Sequence, residues 1–237
     1  MKFFILGDSY GIGEWKQTSP GFMEAVPDTG LDYYLQQLGH IVTNVSAGSS
    51  CNFGQLRHAY WKLRENSDYD YIIWFHTEPV RDIIEHVLDN PADGQVQYPN
   101  FQNIKDYTKA MDYINDCNYK FAQDRIYDEF NIPWIVIGGV GRLGDSINDY
   151  SFPAHKIYSW IEDILELDYT LPKNLLLWQR SIELFDNFKY DSQEILTELE
   201  ISDNYQKLLK QSILFPDDCH VIRTEYEKLA HRLLKML

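Results

Sequence analysis

Cysteine is scarce. The 237-residue chain has three, Cys51, Cys117 and Cys219, too few and too scattered for a disulfide framework. Long apolar runs are missing as well: none approaches the roughly 18 residues that a membrane-spanning helix needs. Met1-Lys2 runs straight into an apolar stretch rather than a secretion signal, so the expected location is the cytoplasm, or the exterior after release without a cleaved leader. Positive charge is in short supply, with 21 Lys and Arg against 36 Asp and Glu and a formal net charge of −15. That balance argues against nucleic-acid backbones and anionic membrane surfaces as partners. Internal repeats and low-complexity tracts are absent. What is present suffices for a sizeable core: the chain is 44% apolar and 15% aromatic, and its length suits a single domain over residues 1–237.

Strands and helices alternate along the chain. Phe3 to Leu6 reads as a buried strand, with Gly7-Asp8 as its sharp exit. Residues 14–28, with Pro20, Gly21 and Pro27, read as a loop. Asp28-Thr29 can cap a helix bearing Leu31, Tyr34, Leu35 and Leu38, ended by Gly39. Ile41 to Val45 is a second strand, followed by the small-residue loop Ser46 to Ser50 and a helix with Phe53, Leu56, Tyr60 and Leu63. Tyr71 to Phe75 is a third strand whose continuous apolar character implies burial on both faces. Helical periodicity from about 80 to 130, broken by a loop near 91–99, precedes a fourth strand at Trp134 to Ile137. Thr224 to Glu227 forms a capping box before a C-terminal helix with Leu229, Leu233, Leu234 and Leu237. The pattern predicts an α/β fold, a three-layer α/β/α sandwich with a parallel sheet of four or five strands. Residues 142–214 read as mostly helical, an insertion beside the site, with a candidate short strand at Leu175 to Trp178.

The first turn carries the chemistry. A serine just past a strand stands where open α/β sheets put their ligands, at the carboxyl edge. To act as a nucleophile Ser9 needs a histidine base and a carboxylate to orient it. Both occur in Phe215-Pro216-Asp217-Asp218-Cys219-His220. Asp217, three residues before His220, can hold its imidazole, and Asp218 competes for that role. The bland alternatives are a turn serine bonding nearby backbone and a surface Asp-Asp-Cys-His turn. Gly7-Asp8-Ser9-Tyr10-Gly11 also satisfies Gly-x-Ser-x-Gly, but that elbow follows a mid-chain strand, with its histidine well separated from its acid.

Gly7-Asp8-Ser9 after the first strand, paired with Asp217-x-x-His220 before the final helix, resembles the SGNH, or GDSL-type, hydrolases in type, order and place. The resemblance spans nearly the whole chain. It implies a Ser9-His220-Asp217 triad and an oxyanion hole built from the Ser9 amide, a glycine amide after the second strand and an asparagine side chain after the third. Gly48 fits the glycine. After the third strand stands His76-Thr77-Glu78-Pro79, with Glu78 at the asparagine's position. An ionised carboxylate cannot donate a hydrogen bond and repels an oxyanion. Three readings stay open: Glu78 is protonated in a desolvated pocket, it points away and leaves Thr77 or His76 to donate, or the site is weak or dead. Arg81 stands close enough in sequence to pair with Glu78. The opening Gly-Asp-Ser-x-Gly-x-Gly-Glu-Trp also resembles SGNH-like proteins of tailed phages, which implies a carbohydrate ester substrate and a place in the virion or host cytoplasm.

Two further patterns carry little. Gly139-x-Gly141-x-x-Gly144 follows a strand, but a dinucleotide fingerprint should open a helix and lead to another strand. Here Asp145, Asn148, Asp149 and Pro153 read as continuing loop. Cys51, Cys219 and His220 match no zinc spacing. Neither cofactor nor metal is expected. The sequence therefore predicts hydrolysis of a small-molecule or glycan ester, Tyr10 and Trp15 either stacking on a sugar or packing the core. Its rival is a non-catalytic binding module that keeps the fold.

Overall fold

Short apolar strands, each ending in a turn, build the sheet and sort their alternate side chains onto its two faces. The computed structural model describes residues 1–19, 22–77, 79, 81–82, 104–139, 142–165, 214 and 220–237. β1 (Lys2–Gly7) leads into the single turn α1 (Ser9–Ile12). A hairpin follows, β2 (Trp15–Ser19) against β3 (Phe22–Ala25), where the sequence predicts only a loop. Its residues are largely exposed, so no alternating apolar pattern announces it. Next come α2 (Leu31–Gln37), β4 (Ile41–Asn44), α3 (Asn52–Glu65) and β5 (Tyr71–His76). α4 (Ile104–Phe121) continues through a π-helical stretch, Ala122–Tyr127, before β6 (Trp134–Gly138). A 3-10 turn, Asp145–Asp149, then precedes β7 (Pro153–Ile157) and α5 (Trp160–Ile164), and α6 (Arg223–Met236) closes the chain.

The sheet has five parallel strands in the order β4-β1-β5-β6-β7. Phe3, Ile5, Ile73, Phe75, Ile135 and Ile137 face one core, covered by Leu31 and Leu35 of α2, Trp160 of α5 and Tyr226 and Leu229 of α6. Phe4, Leu6, Ile72, Trp74, Trp134 and Val136 face the other, covered by Leu56 and Leu63 of α3 and Tyr119 of α4. This is the three-layer α/β/α arrangement. Because β4 and β5 flank β1 on opposite sides, the chain reverses direction across the sheet there. The crevice beyond the carboxyl ends of such strands is where open α/β sheets take ligands.

Several local expectations are corrected. The fifth strand lies at Pro153–Ile157, inside the stretch expected to be helical. It sits at the sheet edge, where Pro is tolerated, and buries only its two end residues, so it lacks the apolar run that marks the others. The candidate strand at 175–178 lies outside the described residues, as do 83–103 and 166–213. α2 is capped by Gly30 with no side-chain bond; the Thr29 hydroxyl instead donates to Val26 O at 2.6 Å and accepts from Glu14 N at 3.0 Å. α6 starts at Arg223 behind Ile222, so Thr224 is already helical and no capping box forms. Gly39 does end α2, at φ +83, a conformation that glycine adopts without strain. Among the described residues no helix is long and apolar enough to cross a membrane.

Candidate active site

Asp8 organises the turn that carries Ser9. Its Oδ1 accepts from Tyr10 N at 3.0 Å, and its Oδ2 accepts from the Thr77 hydroxyl at 2.7 Å. Arg81 Nη1 lies 3.6 Å from the same Oδ2. Asp8 is 1% exposed, and a carboxylate so buried requires this set of donors and a countercharge. Asn52, at the start of α3, in turn grips the Thr77 backbone: Thr77 N donates to Asn52 Oδ1 and Asn52 Nδ2 donates to Thr77 O, both at 2.9 Å. Turn, β5 exit and α3 are thus one hydrogen-bonded unit.

A second buried carboxylate supports α3. Asp82 accepts from Phe53 N at 2.7 Å and from Asn118 Nδ2 at 2.9 Å. Burial pushes its pKa above the ordinary 3.8, while Phe53 N–H and the Cys51, Asn118 and Asn52 side chains pull it back.

The far end of the chain arrives at the same turn. His220 Nε2 lies 2.7 Å from Ser9 Oγ. Contacts that involve neither of these atoms bring them together. Arg223 donates to Glu14 through its backbone N–H at 2.8 Å and through Nη2 at 2.9 Å and Nε at 3.2 Å. The Tyr226 hydroxyl bridges the carbonyls of Tyr10 and Gly13. The Trp15 ring lies against the imidazole at 5.2 Å between centroids and 26° between planes, and its Nε1 donates to Ser9 O at 3.1 Å. Tyr10 approaches the imidazole at 5.5 Å.

The loop after β4 hangs on Gly7, whose carbonyl accepts from Ala47 N at 3.0 Å and lies 3.2 Å from Ser50 Oγ. Gly48 therefore sits beside the turn, and a Cβ there would lie 3.2 Å from Trp15 Cη2. The turn itself tolerates no side chain at Gly11, where a Cβ would meet Ser46 Oγ at 2.1 Å.

Of the residues singled out by sequence, Ser9, Gly48, Thr77 and His220 gather at this one edge of the sheet. Thr77 is corrected in one respect: its hydroxyl is fully buried and its single proton goes to Asp8, so it is not a donor facing Ser9. Arg81 has Asp8 as its described partner. Glu78, Asp217, Asp218 and Cys219 lie outside the described residues. Cys51 is buried at the N-cap of α3, its Sγ accepting from Gly54 N. Among the described residues no cluster of His, Cys, Asp and Glu could hold a metal ion. In the glycine pattern, Gly139 N bonds His76 O and Gly144 opens a 3-10 turn rather than an α-helix, although a strand does follow.

Glu14, Asn52, Arg223 and Tyr226 escape a reading of the sequence, because each acts on a partner remote in the chain. One signal was available: Arg223 and Tyr226 stand three apart on the first turn of the helix that follows His220, so they share a face.

No family model matches the sequence, and no curated protein matches it. Among solved structures, the chain is similar to an aryl esterase from M. smegmatis, at 11% identity over 100% of this chain and 99% of that one, with a TM-score of 0.47. It is also similar to a carbohydrate acetylesterase from Sinorhizobium meliloti (9% identity, 99% and 96% of the two chains, TM-score 0.45). A third is a lipase/acylhydrolase from Enterococcus faecalis (16% identity, 99% and 94%, TM-score 0.41). At such identities the chemistry has to be read from the site itself.

Proposed function

We propose that the chain is a serine hydrolase that cleaves an ester. The observation that carries this reading is the 2.7 Å approach of His220 Nε2 to Ser9 Oγ, across a separation of 211 residues. A serine and an imidazole at that distance form the nucleophile–base pair that acyl transfer needs. Ser9 Oγ attacks the ester carbonyl as His220 takes its proton. The tetrahedral intermediate collapses when His220 protonates the departing alcohol, leaving an acyl group on Ser9. Water activated by His220 then releases the acid and restores the serine. Asp217 orients the imidazole from three residues away, and the amides of Ser9 and Gly48 receive the oxyanion. The phage-like opening motif favours an O-acylated carbohydrate as substrate.

Glu78 supports a second reading, a weak or inactive module that binds a glycan or protein, because a carboxylate at the third oxyanion position opposes catalysis. Hydrolysis of aryl acetates and of acetylated sugars by the wild type and Ser9→Ala separates the two. The hydrolase reading requires turnover that disappears in Ser9→Ala; binding of acetylated glycans without turnover supports the module.

A further inference from the structure

We propose that Trp15 is a positioning residue for His220, an aromatic platform that holds the imidazole against Ser9. This inference rests on the hydrolase reading above. Trp15 touches three parts of the site at once. Its ring lies nearly parallel to the imidazole, at 5.2 Å and 26°. Its indole N–H is spent on the Ser9 carbonyl at 3.1 Å, and its Cη2 edge abuts the position a Gly48 side chain would fill, at 3.2 Å.

The platform is itself fixed from both sides. Trp15 is the first residue of β2 and pairs with Ala25 across the hairpin. The preceding residue, Glu14, is bound by Arg223, three positions beyond His220. The backbone on either side of the indole is thereby tied to the hairpin and to the start of α6. An imidazole oriented only by a carboxylate keeps the freedom to tilt about that one hydrogen bond. A ring against its face removes the tilt, and Tyr10, 1% exposed, closes in at 5.5 Å and 41°. The contact has a second consequence. When His220 takes the proton of Ser9 it becomes a cation beside an indole, and aromatic rings attract cations that lie over their faces.

Because the Trp15 ring is engaged with the base, its loss should lower kcat and leave KM in place. The test measures kcat and KM on an aryl acetate, and the rate of Ser9 labelling by a fluorophosphonate, for wild type, Trp15→Phe and Trp15→Leu. Met23→Ala, in the same hairpin, serves as control. Thermal melts verify folding, and Trp15→Met replaces the Leu variant if that one does not fold. The expected result is a loss of about tenfold or more in both labelling and kcat for Trp15→Leu, with KM unchanged. Trp15→Phe should recover most of the loss, and Met23→Ala should match wild type. Labelling of Trp15→Leu at the wild-type rate overturns the proposal. So does a rise in KM alone, which makes Trp15 a substrate contact, or a Trp15→Phe no better than Leu, which assigns the effect to the indole N–H. A wild type that is not labelled at all overturns the hydrolase reading itself and this inference with it.

Discussion

The hydroxyl of Tyr226 lies 3.0 Å from the carbonyl oxygen of Tyr10, a residue 216 positions earlier, and 3.2 Å from that of Gly13. With the Glu14–Arg223 pair it ties the helix after His220 to the turn that holds Ser9. Tyr226→Phe keeps the ring and removes the donor from two buried carbonyls. Stability should fall by about 1–2 kcal/mol, a few degrees in Tm for a chain of this size, with a drop in kcat at constant KM. A melt and a kinetic profile indistinguishable from wild type would show that the clamp is idle.

Gly11 packs against Ser46 so closely that a Cβ would lie 2.1 Å from its Oγ and 2.8 Å from its Cβ. Gly11→Ala should destabilise by about 1–3 kcal/mol and slow catalysis by displacing the turn. Ser46→Gly opens that space, so the double variant Gly11→Ala/Ser46→Gly should recover much of the loss in urea unfolding. Strictly additive losses would place the strain elsewhere.

Asp82 has a pKa raised by burial above its ordinary 3.8. The folded chain therefore keeps this proton where the unfolded chain has already lost it. Below 3.8 both states hold the proton and the group adds no pH dependence; as pH rises from there through the raised value, stability falls. Asp82→Asn, whose oxygen can still accept from Phe53 N, removes that slope. Urea midpoints compared from about pH 4 to 7 should shift in favour of the variant as pH rises. A constant difference would mean that the donors around Asp82 balance its burial, and a shift against the variant that they outweigh it.

Glu78 stands where the SGNH pattern implies an asparagine donor. On the reading that puts an ionised Glu78 at the oxyanion position, Glu78→Gln supplies an N–H where the carboxylate would repel, so kcat on an aryl ester should rise, on the order of tenfold or more, at unchanged KM; an unchanged kcat would mean that Glu78 points away. A folded but inactive Glu78→Gln would instead show that the carboxylate itself takes part.

Four of the five sheet strands are legible in the sequence: Phe3–Leu6, Tyr71–Phe75 and Trp134–Ile137 carry apolar runs that suit a buried sheet, and Ile41–Val45 is marked by its β-branched residues. Pro153–Ile157 is not, since an edge strand needs no such run. The hairpin after Ser9 carries no apolar run either: its strands pair through exposed residues such as Lys16 and Glu24. In the site, the pairing of Ser9 with His220 could be proposed from residue types at the two chain ends. The support around it could not. Asn52 holds Thr77, Thr77 holds Asp8, and Arg223 holds Glu14, each with a partner remote in the chain.

The central claim is that His220 activates Ser9. Its most direct test is to treat the chain with a fluorophosphonate at neutral pH and map the adduct by peptide mass spectrometry. A single adduct on Ser9 is predicted, absent in Ser9→Ala and formed at least about a hundredfold more slowly in His220→Gln. No adduct in the wild type, an adduct on a different serine, or a rate untouched by His220→Gln would contradict it.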